Sequence, residues 1–195
     1  MPIYLQPLNR RRFITRAAAA AAALACGPRL LAADAPADEH SVALLADPHV
    51  AGDRTVSSRN VNMAESLSRV AREIVARPTR PAAVFILGDC AYSSGETRDY
   101  TTLTELLQPV REHQMPVHLA LGNHDHRERF WTALQEQGAK RPFADRQTAL
   151  VQLPRANLFM LDSLETTLAT PGLIGREQLE WLARALDENS GRPAL

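Results

Sequence analysis

The chain has 195 residues, of which 45% are hydrophobic and 23% charged, with 22 Lys plus Arg against 22 Asp plus Glu. This balance excludes a protein that binds polyanions through bulk positive charge, and it excludes a disordered acidic tail. Nine Gly, thirteen Pro and two Cys exclude collagen-like, coiled-coil and disulfide-scaffold proteins, and the length predicts one domain.

The first 35 residues are predicted to be an export signal. Paired arginines, Arg10 and Arg11, precede a phenylalanine, seven alanines at 17–23 and a small-residue segment around Ala33. A basic start, a weakly apolar middle and small residues at the end are typical of export signals. The arginine pair resembles the twin-arginine signal. We therefore expect a periplasmic or extracellular protein, cleaved after Ala33 or Ala35.

Two other interpretations of this segment stay open. The alanine tract could result from a wrongly assigned start, and Cys26 could be a lipoprotein cysteine, although Ala23 stands where a leucine is usual. The tract is too short and too alanine-rich for a membrane span. We expect no transmembrane helix in the mature chain. The sequence leaves the oligomeric state open.

The mature segment, residues 36–195, is mildly acidic. Five arginines and Asp34 leave with the first 35 residues, which reduces the 22 basic residues to 17 and the 22 acidic residues to 21, a net charge of −4. No basic stripe for nucleic acid is evident. If Cys26 leaves with the signal, Cys90 is the one remaining cysteine and has no partner for an internal disulfide.

Short apolar runs alternate with segments of helical periodicity in the mature segment. The predicted strands lie at 41–46, 82–87, 117–121, 148–153 and 157–161, and the predicted helices at 60–76, 100–112, 127–137 and 175–189. Pro109 weakens or kinks the second helix. Strands that alternate with helices predict an α/β sheet protein.

Polar clusters directly follow the first three predicted strands. They are Asp47-x-His49, Gly88-Asp89 and Gly122-Asn123-His124-Asp125. In open α/β sheets ligands bind at the carboxyl ends of the strands, so parallel neighbours would bring the three clusters to one edge. Carboxylate, imidazole and amide groups suit hard or borderline divalent metal ions. Gly88 and Gly122 let the backbone turn sharply and keep the approach to the metals open.

These three motifs, in this order, resemble the first motifs of the calcineurin-like metallophosphoesterases over roughly residues 41–195. The resemblance implies a double β-sheet sandwich flanked by helices and a site with two ions, most readily Fe, Mn or Zn. By the same resemblance, Asp47 and His49 bind the first metal, Asp89 bridges both metals and Asn123 binds the second.

The resemblance also implies a mechanism for small phosphoesters. A hydroxide that bridges the metals would attack phosphorus in line. His124, not a ligand, would protonate the leaving alkoxide or stabilise charge as it develops. Asp125 would orient its imidazole. Phosphomonoesters, phosphodiesters and cyclic nucleotides all remain open as substrates.

One departure from the family pattern concerns its later histidines. Family members carry a further lone His and a Gly-His-x-His segment, whereas the printed sequence has no histidine after His126. We therefore expect residues 36–195 to be the N-terminal part of the domain, with the final residues leading into another strand. The alternatives are a catalytically inactive remnant that binds metal or phosphate weakly, and a secreted interaction domain with coincidental motifs.

Neighbouring residues receive weaker assignments. Tyr92 completes a Gly-Asp-x-x-Tyr pattern that resembles purple acid phosphatases, but packing or a substrate-facing role is favoured over ligation. Cys90 is expected to be a small buried hydrophobe. Arg127 is expected on a solvated helix face or near the substrate phosphate, and Asp162 is a candidate for supporting the site.

Overall fold

The computed structural model describes residues 37–134 and 141–195. The predicted export signal lies outside the described residues. The strands are β1 (Ala37–Asp38), β2 (Ala43–Leu45), β3 (Ser57–Ser58), β4 (Val61–Asn62), β5 (Arg80–Pro81), β6 (Val84–Leu87), β7 (Val117–Ala120), β8 (Ala149–Gln152) and β9 (Asn157–Met160). The helices are α1 (Met63–Val75), α2 (Thr97–Leu106), α3 (Gln108–Glu112), α4 (Arg127–Leu134) and α5 (Arg176–Glu188).

The three strands that precede the polar clusters form one parallel sheet in the order β2-β6-β7. Ala43 pairs with Val84, and Val84 pairs with Val117. Because all three strands run in the same direction, their carboxyl ends lie at the same edge. This pairing confirms the expectation that the clusters share an edge.

One face of this sheet packs against helices. Val84 and Ile86 of β6 are fully buried. They belong to clusters that include Leu67 and Ile74 of α1 and Leu103 of α2. Complete burial of an aliphatic side chain of this size contributes roughly 1.5–3 kcal/mol. The apolar positions of the two helices therefore fix the sheet against them.

The opposite face of the sheet packs against a second sheet. Phe85 of β6 lies in a cluster with Leu158 and Met160 of β9, and β9 pairs with β8 as an antiparallel hairpin. Phe159 points away from that cluster and contacts Trp181 of α5 edge to face, with ring centroids 6.4 Å apart. The resulting order of helices, sheet, sheet and helix confirms the predicted double sandwich flanked by helices.

Helix α1 begins three residues later than predicted. Residues 57–62 form the hairpin β3–β4 instead, which the periodicity did not predict. The helix starts after Asn62, whose side chain accepts a hydrogen bond of 2.9 Å from the backbone nitrogen of Glu65. An asparagine that satisfies a free N–H group of the first turn is a favourable helix cap.

Two other predicted elements differ in detail. β2 is shorter than the predicted strand and forms an edge of the sheet, so Leu44 is 58% exposed rather than buried. The predicted helix 100–112 is divided at Leu107 into α2 and α3, and Pro109 occupies the first turn of α3, as its missing N–H group favours. Residues 135–137 of the predicted helix 127–137 lie outside the described residues.

The final residues pair with β9. The backbone nitrogen of Asn157 donates to the oxygen of Pro193 at 2.8 Å, and that of Phe159 donates to the oxygen of Leu195 at 2.9 Å. These parallel contacts place the final residues beside β9. In the described part of the chain, no helix combines the length and the apolar character that crossing a membrane requires.

Candidate active site

Backbone hydrogen bonds continue beyond the strands and join the first two polar clusters. The nitrogen of His49 donates to the oxygen of Asp89, and the nitrogen of Val50 donates to the oxygen of Cys90, both at 3.0 Å. An isolated parallel bridge joins Val50 to Ala91. The loops that follow β2 and β6 are therefore held side by side.

Three predicted site residues form a cluster of metal donors. Ligand atoms of His49, Asp89 and His124 all lie within 4.8 Å of one another. His49 Nε2 lies 3.7 Å from Oδ2 of Asp89, and the rings of the two histidines meet nearly at right angles with centroids 5.1 Å apart. Two donors that bind one ion at ~2.1 Å lie up to about 4.2 Å apart, so small side-chain adjustments would bring these donors onto one ion.

Asp89 is buried and held from two sides. The backbone nitrogen of His124 donates to its Oδ1 at 2.9 Å. Gly122 approaches so closely that a β-carbon there would lie 2.2 Å from the same oxygen. Gly88 precedes it with a φ of 86°, a conformation that glycine adopts without steric cost. Gly88 therefore allows the predicted sharp turn, and Gly122 lets the two loops approach each other closely.

Three predicted metal ligands have left-handed backbone conformations. The φ angles are 50° for Asp47, 44° for His49 and 45° for Asp89. Such conformations are uncommon for residues other than glycine and cost roughly 1–3 kcal/mol each, and they cluster at functional sites. Their occurrence at the ends of β2 and β6 is consistent with a site that requires particular side-chain directions.

The imidazole of His124 is positioned by the loop after β6. Its Nδ1 lies 2.7 Å from the backbone oxygen of Ser93. Since a carbonyl oxygen can only accept, Nδ1 carries the proton in this contact, and in the neutral ring Nε2 is left as an acceptor. The resemblance implied that His124 is not a metal ligand. In the structure its ring lies together with His49 and Asp89.

Asp125 does not contact the imidazole in the way that the sequence predicted. Its carboxylate is fully buried and accepts hydrogen bonds from the backbone nitrogens of Cys90, Ala91 and Gly122 at 2.9–3.1 Å. It also accepts one from the hydroxyl of Tyr100 at 3.2 Å. The predicted orienting contact is therefore replaced by the carbonyl oxygen of Ser93, and Asp125 instead joins the loops after β6 and β7.

Burial raises the pKa of Asp125, and its hydrogen bonds oppose this effect.

Tyr100 was missed by the sequence analysis. Burial also raises the pKa of its phenol, and its oxygen accepts a hydrogen bond of 2.7 Å from the backbone nitrogen of His126. No sequence motif marks Tyr100, because its role depends on a contact with a residue 25 positions away.

The remaining two predicted ligands, Asp47 and Asn123, follow β2 and β7 at the same edge of the sheet. Asp47 is exposed at the end of β2. Asn123 is partly buried, and its backbone oxygen accepts a hydrogen bond of 2.6 Å from the nitrogen of Leu168. The metal-binding roles of Asp47 and Asn123 stay predictions.

A cleft of about 430 Å³ opens beside the two histidines. Tyr92 lines it and is 37% exposed, a location compatible with a substrate-facing role. Ser58, Arg59, Val61 and Met63 form another part of its lining, and the sequence analysis singled out none of them for the site. Cys90 is fully buried, as expected, and burial raises the pKa of its thiol.

Arg127 forms an ion pair with Asp162 and does not lie on a solvated helix face as predicted. Its guanidinium donates to both carboxylate oxygens of Asp162, at 2.8 and 3.0 Å, and to the oxygen of Leu164. Asp162 is fully buried and also accepts from the backbone nitrogen of Gln147 at 2.7 Å. This pair joins α4 to the end of β9, so Asp162 supports the fold beside the site.

The donors present fit a metal centre. Two imidazoles and a carboxylate suit Zn, Fe or Mn ions, and the carboxylate is buried and fixed by a backbone hydrogen bond. Comparison with family models matches residues 40–193 to the calcineurin-like phosphoesterase family. The chain belongs to the calcineurin-like phosphoesterases.

This family consists of metal-dependent phosphoesterases, which are hydrolases. The match includes all three strand-end clusters and both sheets of the sandwich. A comparison with curated proteins found no significant match to this sequence.

Proposed function

We propose that this phosphoesterase hydrolyses small phosphoesters at the carboxyl edge of the parallel sheet, with two metal ions. The donor cluster of His49, Asp89 and His124 is the observation that carries the proposal. Asp89 lies between the other two predicted clusters. Its carboxylate has two oxygens, so it could bind one metal ion with each and bridge the two ions. Asp47 and Asn123 extend the donors on either side of it.

Bound ions would supply positive charge for the phosphoryl oxygens and make water a better nucleophile. The chain contributes a fixed carboxylate, because Asp89 is restrained by the N–H group of His124 and by the backbone of Gly122. Preorganised groups need no rearrangement while charge develops, which is a large source of catalytic stabilisation.

His124 is proposed to donate a proton to the leaving oxygen. Its Nδ1 is directed to the carbonyl oxygen of Ser93, which leaves Nε2 as the nitrogen that gains and loses the proton. The ring also lines the cleft, where a leaving group would lie. Its position close to His49 makes metal ligation the competing role for the same nitrogen.

The test is metal-dependent hydrolysis of 4-nitrophenyl phosphate by purified protein, stripped with chelator and reloaded with Mn, Zn or Fe. We expect activity only after reloading, and its loss in His49→Ala. His113→Ala is the matched control, because that imidazole contacts the oxygen of Pro109 in α3. A metal-binding protein without hydrolysis of any phosphoester would favour the alternative, a domain that binds metal or phosphate without turnover.

Export by the twin-arginine route is a separate proposal. It is supported by Arg10 and Arg11 before the weakly apolar alanine tract. Replacement of both arginines by lysine should keep the protein in the cytoplasm, as measured by cell fractionation. Unchanged delivery to the periplasm would contradict this route.

A further inference from the structure

The tip of the β3–β4 hairpin presents an arginine in an unusual conformation. Ser58 pairs with Val61, so Arg59 and Asn60 form a two-residue turn with φ angles of 50° and 63°. Two positive φ angles define the tight hairpin turn in which Asn and Gly are favoured. An arginine at the first position is a strained choice, which is a reason to look for a function.

The hairpin is fixed to the start of α1. The side-chain nitrogen of Asn62 donates to the backbone oxygen of Arg54 at 2.8 Å, and its oxygen accepts from the backbone nitrogen of Glu65 at 2.9 Å. The hydrogen bonds of Asn62 therefore fix the hairpin close to its turn. Arg59 lies in a short turn whose backbone is held in place, and not in a long loop.

Arg59 lines the same cleft as His49 and His124. Among the described residues that line this cleft, Arg59 is the one with a permanent charge, and no carboxylate lines it. Within 37–134 and 141–195 no ion pair involves Arg59, whereas Arg54 nearby is paired with Glu105 at 2.5 Å. Its charge is therefore available to an anion in the cleft.

We infer that Arg59 binds the substrate phosphate and makes the site prefer phosphomonoesters to phosphodiesters, an inference that rests on the proposed function. A phosphomonoester carries close to two negative charges at neutral pH, because its second pKa is about 6, whereas a diester carries one. A guanidinium pairs with two phosphate oxygens at once. A diester has two unesterified oxygens and a monoester three, so a monoester offers the guanidinium more acceptors as well as more negative charge.

The test compares Arg59→Gln and Arg59→Lys with the unmodified protein. For 4-nitrophenyl phosphate we expect kcat/KM to fall about 10- to 100-fold in Arg59→Gln, the effect of losing one strong charge-assisted hydrogen bond. For bis(4-nitrophenyl) phosphate we expect less than about a threefold change, and partial recovery for the monoester in Arg59→Lys. Arg69→Gln is the control, because Arg69 lies on α1 beside Glu73 and outside this cleft.

A binding measurement gives a readout that is independent of turnover. Calorimetry should show that the unmodified protein binds the dianion phenylphosphonate more tightly than the monoanion methyl phenylphosphonate, and that Arg59→Gln removes this preference. An unmodified protein without the preference, or equal losses for both esters in Arg59→Gln, would overturn the inference. Failure of the proposed function looks different: neither ester is hydrolysed with any metal, whatever residue occupies position 59.

Discussion

Gly122 lies directly against Asp89: a β-carbon on Gly122 would lie 2.2 Å from Oδ1 of Asp89 and 2.4 Å from its backbone nitrogen. The contact joins the loop after β7 to the loop after β6. Because the neighbouring atoms include backbone, a side chain here cannot be accommodated by a rotamer change alone. The position of the central carboxylate therefore depends on the absence of a side chain at residue 122.

Gly122→Ala should displace Asp89 and weaken metal binding about 10- to 100-fold, the range for residues that support ligands. Titration of the chelator-stripped protein with Zn measures the change. Gly191→Ala is the matched control, since among the described residues no atom beyond its chain neighbours lies within 4 Å of a β-carbon at that position. Equal metal affinity in both variants would show that the loop can move without disturbing the centre.

Asp89→Asn should remove more metal than Asn123→Ala. Asp89 lies within the donor cluster and is the proposed bridge, so its loss affects both ions, whereas Asn123 is proposed to bind one. Elemental analysis after equilibration with equal metal concentrations measures the difference. Equal metal content in the two variants would argue against a bridging carboxylate at Asp89.

His124→Ala should lower the rate about 10²- to 10⁴-fold, the contribution of a general acid, while retaining most of the metal. The loss should be smaller for nitrophenyl esters than for alkyl esters, because good leaving groups need little protonation. Turnover with both ester classes and elemental analysis are measured together. A large loss of metal, or the same rate loss for both classes, would assign His124 to ligation.

Arg127→Gln should destabilise the fold by about 3–5 kcal/mol, because removing one member of a buried pair leaves an uncompensated charge. Its partner Asp162 is fully buried. Arg129→Gln should cost about 0–1 kcal/mol, since its pair with Glu96 is exposed. Urea unfolding without metal compares them, and similar costs would contradict a structural role for the Arg127 pair.

His118 should make stability fall at acidic pH. Its ring stacks on Phe85 with centroids 4.9 Å apart, and burial lowers its pKa from the ordinary value of 6.5. Below about pH 6.5 the unfolded chain binds a proton that the folded chain does not, so the free energy of unfolding decreases until the lowered pKa is passed.

His118→Phe removes this contribution while keeping an aromatic ring against Phe85. The unfolding free energy of the variant should therefore decrease less than that of the unmodified protein between pH 7 and pH 5. Denaturant unfolding of chelator-treated protein at each pH measures it. Parallel pH profiles for the two proteins would show that His118 titrates equally in both states.

The sequence by itself determined the alternation of strands and helices and the edge at which the chemistry lies. Apolar runs of five or six residues and helical periodicity are local signals. A polar cluster after each of three strands requires only parallel pairing to form one site. The sharp turn at Gly88 was likewise predictable, because a positive φ favours glycine.

Only the tertiary structure decided which polar groups meet. His124 joins His49 and Asp89, while Asp125 hydrogen-bonds the loop after β6, and Arg59 reaches the cleft through a hairpin that periodicity did not predict. Adjacent residues point in different directions according to loop φ and ψ angles. Contacts between residues about 35 positions apart fix those angles, so spacing along the chain cannot specify them.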